Sequence, residues 1–272
     1  MKEVCVITGG GSGMGLAAAK FMDKSKVIVL AGRTVAKLEK AVKELEELGF
    51  QAHAHACDTS DRESVKALAQ YAASLGTVKN VINAAGLSPA MATGEKLLRV
   101  NALGTVYVNQ EFAKVMSRGS VILDISSNSA YVLPKFLINE KVYALAEVDE
   151  GRFLRKMLKK ANLPRNPYQR AGFAYSLSKN FVIWYAQKSA CELGPKGIRV
   201  CSLSPGLIAT DMGNLEKEAG SFMLKYGAEQ RMGKVEELGY AIATVADQRN
   251  GYLAGVDILC DGGCTTGKKF RK

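Results

Sequence analysis

The chain has 272 residues, 47% of them hydrophobic and 23% charged, with a net charge of +11 at pH 7. This is globular composition, and it excludes a disordered tract, a coiled coil or a collagen-like repeat. No apolar run approaches the roughly 18 residues of a membrane span, and the parts of a signal peptide are absent, so the expected location is cytoplasmic.

In chain order, Val4–Thr8 reads as a first strand, and Thr8-Gly9-Gly10-Gly11-Ser12-Gly13-Met14-Gly15 opens a helix expected to reach Lys24. Val27–Ala31 follows as a strand. Val35–Leu48 follows as an amphipathic helix, with Leu38, Val42, Leu45 and Leu48 on one face. Gln51–Cys57, Val78–Asn83, Ser120–Ser126, Ile198–Leu203 and Val256–Cys260 are the remaining strands, mostly separated by helical stretches. Apolar strands alternating with helices imply βαβ units with right-handed crossovers. The expectation is an α/β fold: a Rossmann-type doubly wound parallel sheet of about seven strands, in one domain over residues 1–272. Residues 128–174 interrupt the alternation as a helical insertion, and 264–272 form a basic tail.

The six cysteines include no CxxC pair and read as buried, reduced thiols. His53 and His55 would share one strand face, but two ligands do not make a zinc site, so no metal is expected. A nucleic-acid partner would need a recognition module, and none is present.

Glycine permits a tight turn and close backbone approach to a pyrophosphate, and a helix N-terminus offers free N–H groups to it. The motif lies between a strand and a helix, which is the context that gives it meaning. Its TGxxxGxG spacing resembles the short-chain dehydrogenase/reductase family, and other motifs follow in the family's order over about residues 3–263. These are Asp58 after the third strand, Asn83-Ala84-Ala85-Gly86, Asn101, Ser126-Ser127, Tyr175-Ser-Leu-Ser-Lys179, Pro205-Gly206 with Thr210, and Asp261-Gly262-Gly263. The resemblance implies a catalytic set of Asn101, Ser127, Tyr175 and Lys179. It also implies cofactor contacts from Gly9, Ser12, Gly13, Met14 and Gly15, from Asp58 and Thr59, and from Asn83 to Gly86. Tyr175 and Lys179, then Pro205, Gly206, Ile208 and Thr210, would complete the nicotinamide side.

These residue types suit hydride chemistry. Reducing a ketone leaves an alkoxide that needs a proton, and a free phenol, with a pKa near 10, is a poor acid–base group at neutral pH. Tyr175 and Lys179 are four apart and share a helix face, so the cation can lower the phenol's pKa. Ser127 supplies a hydroxyl to polarise the carbonyl. Asn101, as the resemblance implies, would complete a water-mediated relay from Lys179 to solvent. At the end of the second strand no acid is present, and Arg33 follows Gly32. An acid there would bind a ribose 2′-hydroxyl, whereas a guanidinium accommodates a 2′-phosphate, so the expected cofactor is NADP(H).

Two spacings depart from common family members: Ser127 and Tyr175 lie 48 positions apart, and Gly86 and Asn101 only 15. Both resemble the 3-alpha-hydroxysteroid dehydrogenase/carbonyl reductase type, which carries a helical insertion at this point. Within the insertion, Leu145, Val148, Phe153, Leu154, Met157 and Leu158 fall at roughly helical spacing, before Asn162-Leu163-Pro164-Arg165-Asn166-Pro167 breaks the helix. The stripe reads either as a self-covering face or as an apolar wall over the site mouth. The insertion also carries a net +5, with Arg152, Arg155, Lys156, Lys159 and Lys160 close together. A solvated face is the plain reading; attraction of an anionic, amphipathic substrate is the other.

The leading expectation is therefore an NADP(H)-dependent oxidoreductase acting on a small-molecule ketone or secondary alcohol, with hydroxysteroids or bile acids first. General carbonyl or quinone compounds and 3-oxoacyl thioesters follow. A non-catalytic NADP(H)-binding redox sensor is the alternative from another class. A homo-oligomer, dimer or tetramer, is expected, with Trp184 and Tyr185 as candidates for an exposed interface on the helix of Tyr175, unless the insertion blocks that face.

Overall fold

A computed structural model describes residues 2–213 and 224–270. Seven strands form one parallel sheet: β1 (Glu3–Thr8), β2 (Val27–Gly32), β3 (Gln51–Ala56), β4 (Thr77–Asn83), β5 (Ser120–Ile125), β6 (Ile198–Pro205) and β7 (Asp257–Cys260). Their order is β3-β2-β1-β4-β5-β6-β7. The order reverses between β1 and β4, and a crevice opens there beyond the carboxyl ends of the strands.

Helices cover both faces, as the near-continuous apolar runs in the strands require. One face packs α1 (Gly13–Lys20), α2 (Val35–Glu47) and a helix at Val235–Val245, through Ala18, Leu38, Leu45 and Ile242. The other packs α3 (Arg62–Leu75), α4 (Gly94–Leu97), a π-helical turn (Leu98–Leu103) and α5 (Gly104–Phe112). The first helix stops at Lys20, short of the expected Lys24. The Phe21 N–H closes on the Ala18 carbonyl at 3.1 Å, and Asp23 then accepts from the Ser25 N–H, turning the chain into β2.

The insertion is helical. Two 3₁₀ turns (Asn128–Tyr131 and Lys135–Leu137) precede α6 (Glu140–Tyr143), a third turn (Ala144–Glu147) and α7 (Glu150–Ala161). Asn139 and Asp149 cap α6 and α7, accepting from the N–H groups of Val142 and Arg152. Helix α8 (Pro167–Leu193) then starts on a proline, so the break expected at 162–167 is where α7 ends and α8 begins.

The apolar stripe does not form a wall over the site. Phe153, Leu154 and Met157 are buried in the main core, where Phe153 meets Phe181 of α8 at 5.2 Å between ring centroids. Val148 is off the stripe and 79% exposed, because it lies in the turn before the Asp149 cap. This packing also corrects the expectation for Trp184 and Tyr185. Tyr185 is buried, stacks on Phe181 and donates its hydroxyl to Glu147 at 2.9 Å. Trp184 is half-buried edge-on to Tyr143, at 5.6 Å. The insertion thus covers the helix face that those residues would have offered a partner.

Deleting a buried ring from such a cluster removes its transfer energy and leaves a cavity. Phe153→Ala is expected to cost about 3–5 kcal/mol, read by chemical denaturation, while Val148→Ala stays near zero. A Phe153→Ala cost below about 1 kcal/mol would show that the insertion is loosely attached.

Of the insertion's cations, Arg152, Arg155, Lys156 and Lys159 are exposed. Lys160 is half-buried and donates to the Leu137 carbonyl at 2.6 Å; burial and the charge of Lys156 lower its pKa. In the basic tail, Lys268 and Lys269 end a short helix (Cys264–Phe270), and Arg271 and Lys272 lie outside the described residues. Among the described residues no helix is long and apolar enough to cross a membrane, and no group of three or more His, Cys, Asp or Glu could hold a metal ion.

Candidate active site

The crevice is a solvent-open cleft of about 720 Å³, lined by Gly9, Gly11, Ser12, Gly32, Arg33, Thr34, Lys37, Leu38, Cys57, Asp58, Thr59, Ala85, Gly86, Leu87 and Val100. Its floor is backbone packed on backbone. Gly9 has φ +66°, and a Cβ there would stand 2.8 Å from the Ala84 carbonyl oxygen; one at Gly15 would stand 2.7 Å from the Gly9 carbonyl oxygen. Only glycine fits either position. Ser12 precedes α1 with extended backbone and no side-chain cap bond, so the first turn of α1 faces the cleft without an internal cap. A cradle of this kind fits the pyrophosphate of a dinucleotide.

The wall opposite is the turn after β4. Thr8 Oγ1 donates to Asn83 Oδ1 at 2.9 Å and accepts the Ala85 N–H at 3.1 Å, which fixes Ala84, Ala85 and Gly86 against the glycine cradle. At the β3 end of the cleft, one Asp58 oxygen accepts from both the N–H and the hydroxyl of Ser60, at 2.9 and 2.7 Å. Burial raises the Asp58 carboxyl, but these bonds and the charge of Arg33 hold it below its ordinary value. Thr59 is buried beside it.

Two of the four candidate catalytic side chains, Asn101 and Lys179, meet behind Gly86, and Tyr175 lies beside Lys179. A Cβ built at Gly86 would lie 3.3 Å from Asn101 Oδ1 and 3.4 Å from Lys179 Nζ. Lys179 is buried, donates to the Ile125 carbonyl at 2.9 Å, and holds its Nζ 5.8 Å from the Tyr175 ring centroid. The Ser126 hydroxyl donates to the Lys179 carbonyl at 2.7 Å, tying the end of β5 to α8. Ser127 follows in extended backbone, and its Oγ accepts the Ser129 N–H at 3.2 Å, which leaves the hydroxyl proton to donate elsewhere.

Asn101 sits in the π-helical turn, a distortion that often marks functional positions. Its Oδ1 accepts the Leu87 N–H at 2.9 Å, and its Nδ2 donates to the Leu87 carbonyl at 3.0 Å and to Ser178 Oγ at 3.2 Å. The side chain therefore braces the turn after Gly86.

On the far side, Gly206 packs so closely on Asp261 that a Cβ would stand 2.8 Å from the Asp261 Cα. Ile208 is buried and bridged to Gly233, and Thr210 Oγ1 accepts the Gly213 N–H at 2.9 Å. Pro205 ends β6, and the Thr210 methyl carbon lies 3.6 Å from a Cβ built at Gly13. Met14, the residue before Gly15, is half-buried on the α1 face of the sheet.

Some cleft residues are not among the sequence-derived candidates. Lys37 is the third residue of α2, so its place in the first turn is readable from the helical pattern over Val35–Leu48. Thr34, the N-cap residue of α2, has no side-chain cap bond. Asn180 is another omission: it accepts from the Tyr143 hydroxyl at 2.9 Å and donates to the Ala130 carbonyl at 3.1 Å, linking the insertion to the loop after Ser127. No local pattern announces that contact.

A family model described as short chain dehydrogenase matches residues 3–139, and a second, described as Enoyl-(Acyl carrier protein) reductase, matches 165–265. The chain belongs to the short-chain dehydrogenase/reductase family. Such proteins are oxidoreductases acting on alcohols and ketones with NAD or NADP. Neither match includes residues 140–164, the centre of the insertion. The chain is 29% identical to the short-chain dehydrogenase/reductase bsc3 of Alternaria brassicicola, over 97% of this chain and 96% of the relative. It is 26% identical to the 7alpha-hydroxysteroid dehydrogenase of Escherichia coli strain K12, over 96% and 93%. The structure of a short chain dehydrogenase from Burkholderia cenocepacia J2315 in complex with NADP superposes with a TM-score of 0.75 at 23% identity, covering 97% of each chain.

Proposed function

We propose that this short-chain dehydrogenase/reductase is a cytoplasmic NADP(H)-linked enzyme, acting as one domain over residues 1–272. It would interconvert a secondary alcohol and a ketone on a bulky hydrophobic substrate of the hydroxysteroid or bile-acid kind. The observation that carries the cofactor choice is the end of β2: Arg33 and Lys37 line the cleft, and no acid stands at that strand end. Two cations favour a 2′-phosphate, and a carboxylate would repel it. The steroid reading is supported by the similarity to a 7alpha-hydroxysteroid dehydrogenase.

When bound, the nicotinamide supplies or takes up the hydride. The chain's own residues do the rest. The glycine cradle and the α1 N-terminus hold the phosphates, Asp58 and Thr59 the adenine side, and Pro205, Gly206, Ile208 and Thr210 the nicotinamide side. Ser127 donates to the substrate oxygen and so polarises it. Tyr175 gives its phenolic proton to the developing alkoxide, or takes it back in oxidation. Lys179 stabilises the phenolate by its charge and is held in place by the Ile125 carbonyl. Asn101 acts by keeping the turn after Gly86 in position.

The test is an NADPH-oxidation screen over oxosteroids, bile acids with a keto group, quinones and oxoacyl thioesters. Turnover highest on the steroid or bile-acid group is expected; turnover confined to small carbonyls or thioesters would replace that substrate class. A homo-oligomer is part of the proposal. With Tyr185 buried under the insertion, the contact would use another face, near β7. Light scattering at micromolar concentration is expected to give a multiple of 29.2 kDa, and a monomer would reject it.

A further inference from the structure

Asp124 is a fully buried carboxylate in the middle of the sheet, and nothing in the chemistry above uses it. It lies on β5, whose alternation places Ile122, Asp124 and Ser126 on one face, the face that Ser126 shows to α8 through its bond to Lys179. Asn83 Nδ2 donates to one Asp124 oxygen and Asn109 Nδ2 to the other, both at 2.9 Å. Two N–H donors and no acceptor suit an ionised carboxylate. A buried charge without a direct counter-ion is costly, so its retention asks for a reason.

The nearby cation is Lys179, whose Nζ is anchored on the carbonyl of Ile125, the next residue of β5. Burial pushes the Asp124 carboxyl up to about 6, and the Asn109 and Asn83 bonds and the charge of Lys179 keep it from rising further. Among the described residues, Tyr185 of α8 and Cys201 of β6 also feel Asp124. From β4 and α5 the Asn83 and Asn109 amides face it.

We propose that Asp124 is a positioning residue whose buried negative charge acts on Lys179 and, through that field, on the Tyr175 phenol. The inference rests on the assignment of Tyr175 and Lys179 as the proton-transfer pair. A negative charge behind the pair favours ammonium on Lys179 and disfavours phenolate on Tyr175. It keeps the phenol protonated, as a donor to the alkoxide must be, while Lys179 and an oxidised nicotinamide pull the other way. The same carboxylate sets hydrogen-bond direction. Because it only accepts, Asn83 must turn its NH₂ towards it and its oxygen towards Thr8, which then accepts the Ala85 N–H.

Asp124→Asn removes the charge at nearly constant shape. Asn109 Oδ1 is buried without a hydrogen-bond partner. If the Asn109 amide turns over, that oxygen can accept from the new amide while Asn83 still donates to it, so the variant can fold.

The experiment titrates the cofactor-free protein labelled with ¹³Cζ-tyrosine by NMR, with the Tyr175 signal assigned by its loss in Tyr175→Phe. In Asp124→Asn the Tyr175 midpoint is expected to fall by about one pH unit. A midpoint unchanged from wild type would overturn the proposal. The wild-type protein gives a second reading that needs no folded variant. Its Tyr175 signal should show a small inflection near pH 6, where Asp124 takes up its proton, and a flat trace there also overturns the idea. Neither measurement needs a substrate, so loss of the catalytic reading, seen as turnover surviving in Tyr175→Phe, is separable from loss of this one.

Discussion

Tyr175→Phe is expected to lower kcat by about 10³-fold or more while leaving the dissociation constant for NADPH within about threefold. In the proposed mechanism the phenol is the proton donor, but it would be one cofactor contact among many. The proposed cofactor surface includes Gly9, Ser12, Arg33, Asp58, Thr59, Ala85 and Gly86, which line the cleft. Removing one oxygen from a half-buried ring leaves the fold unchanged, so circular dichroism and Tm should match wild type. Lys179→Ala should behave differently. Its Nζ is anchored in the interior on the Ile125 carbonyl, so that variant is expected to lose cofactor affinity as well as turnover. A Tyr175→Phe protein that keeps its kcat would move the proton donor elsewhere.

The sheet was legible because a parallel sheet buried on both faces leaves uninterrupted apolar runs such as Val27–Ala31, and these need no tertiary information. The glycine cradle was legible for a related reason: positive φ and backbone contact at 2.8 Å admit only glycine, so the constraint is written in the residue itself. What stayed hidden depends on partners distant in sequence. Trp184 and Tyr185 look like an aromatic surface from their helix alone, and only Tyr143 and Phe153, arriving from the insertion, turn that face into core. Met157 and Leu154 repeat at helical spacing either way, and periodicity cannot say whether the covered object is a substrate or α8. The anionic-substrate reading loses half its support by the same packing. The insertion's cations are exposed, but the apolar stripe that would hold a steroid body is already used. Asp124 had a signal, one carboxylate inside Ser120–Ile125, but its meaning needed Asn83, Asn109 and Lys179 from three other elements.

Arg33→Asp is expected to shift the ratio of kcat/KM for NADPH over NADH by about 10²–10³-fold towards NADH. The change has two parts. It removes charge-assisted hydrogen bonds to a 2′-phosphate, each worth about 1.5–3 kcal/mol, or about ten- to a hundredfold. It also places a carboxylate where a ribose 2′-hydroxyl can donate to it and a phosphate is repelled. Lys37→Ala removes only a longer-range cation, so a smaller loss for NADPH, about tenfold, and none for NADH is expected. Because Asp58 is held ionised partly by Arg33, the aspartate variant also sets a second carboxylate near it, and some loss of affinity for both cofactors should accompany the switch. Salt separates the parts. Binding of NADPH to wild type should weaken as ionic strength rises, since both cations line an open cleft, whereas NADH binding to Arg33→Asp should be nearly flat. A wild-type enzyme that already prefers NADH, or an Arg33→Asp variant with an unaltered ratio, would remove the guanidinium from cofactor choice and leave it a solvated residue at the mouth of the cleft.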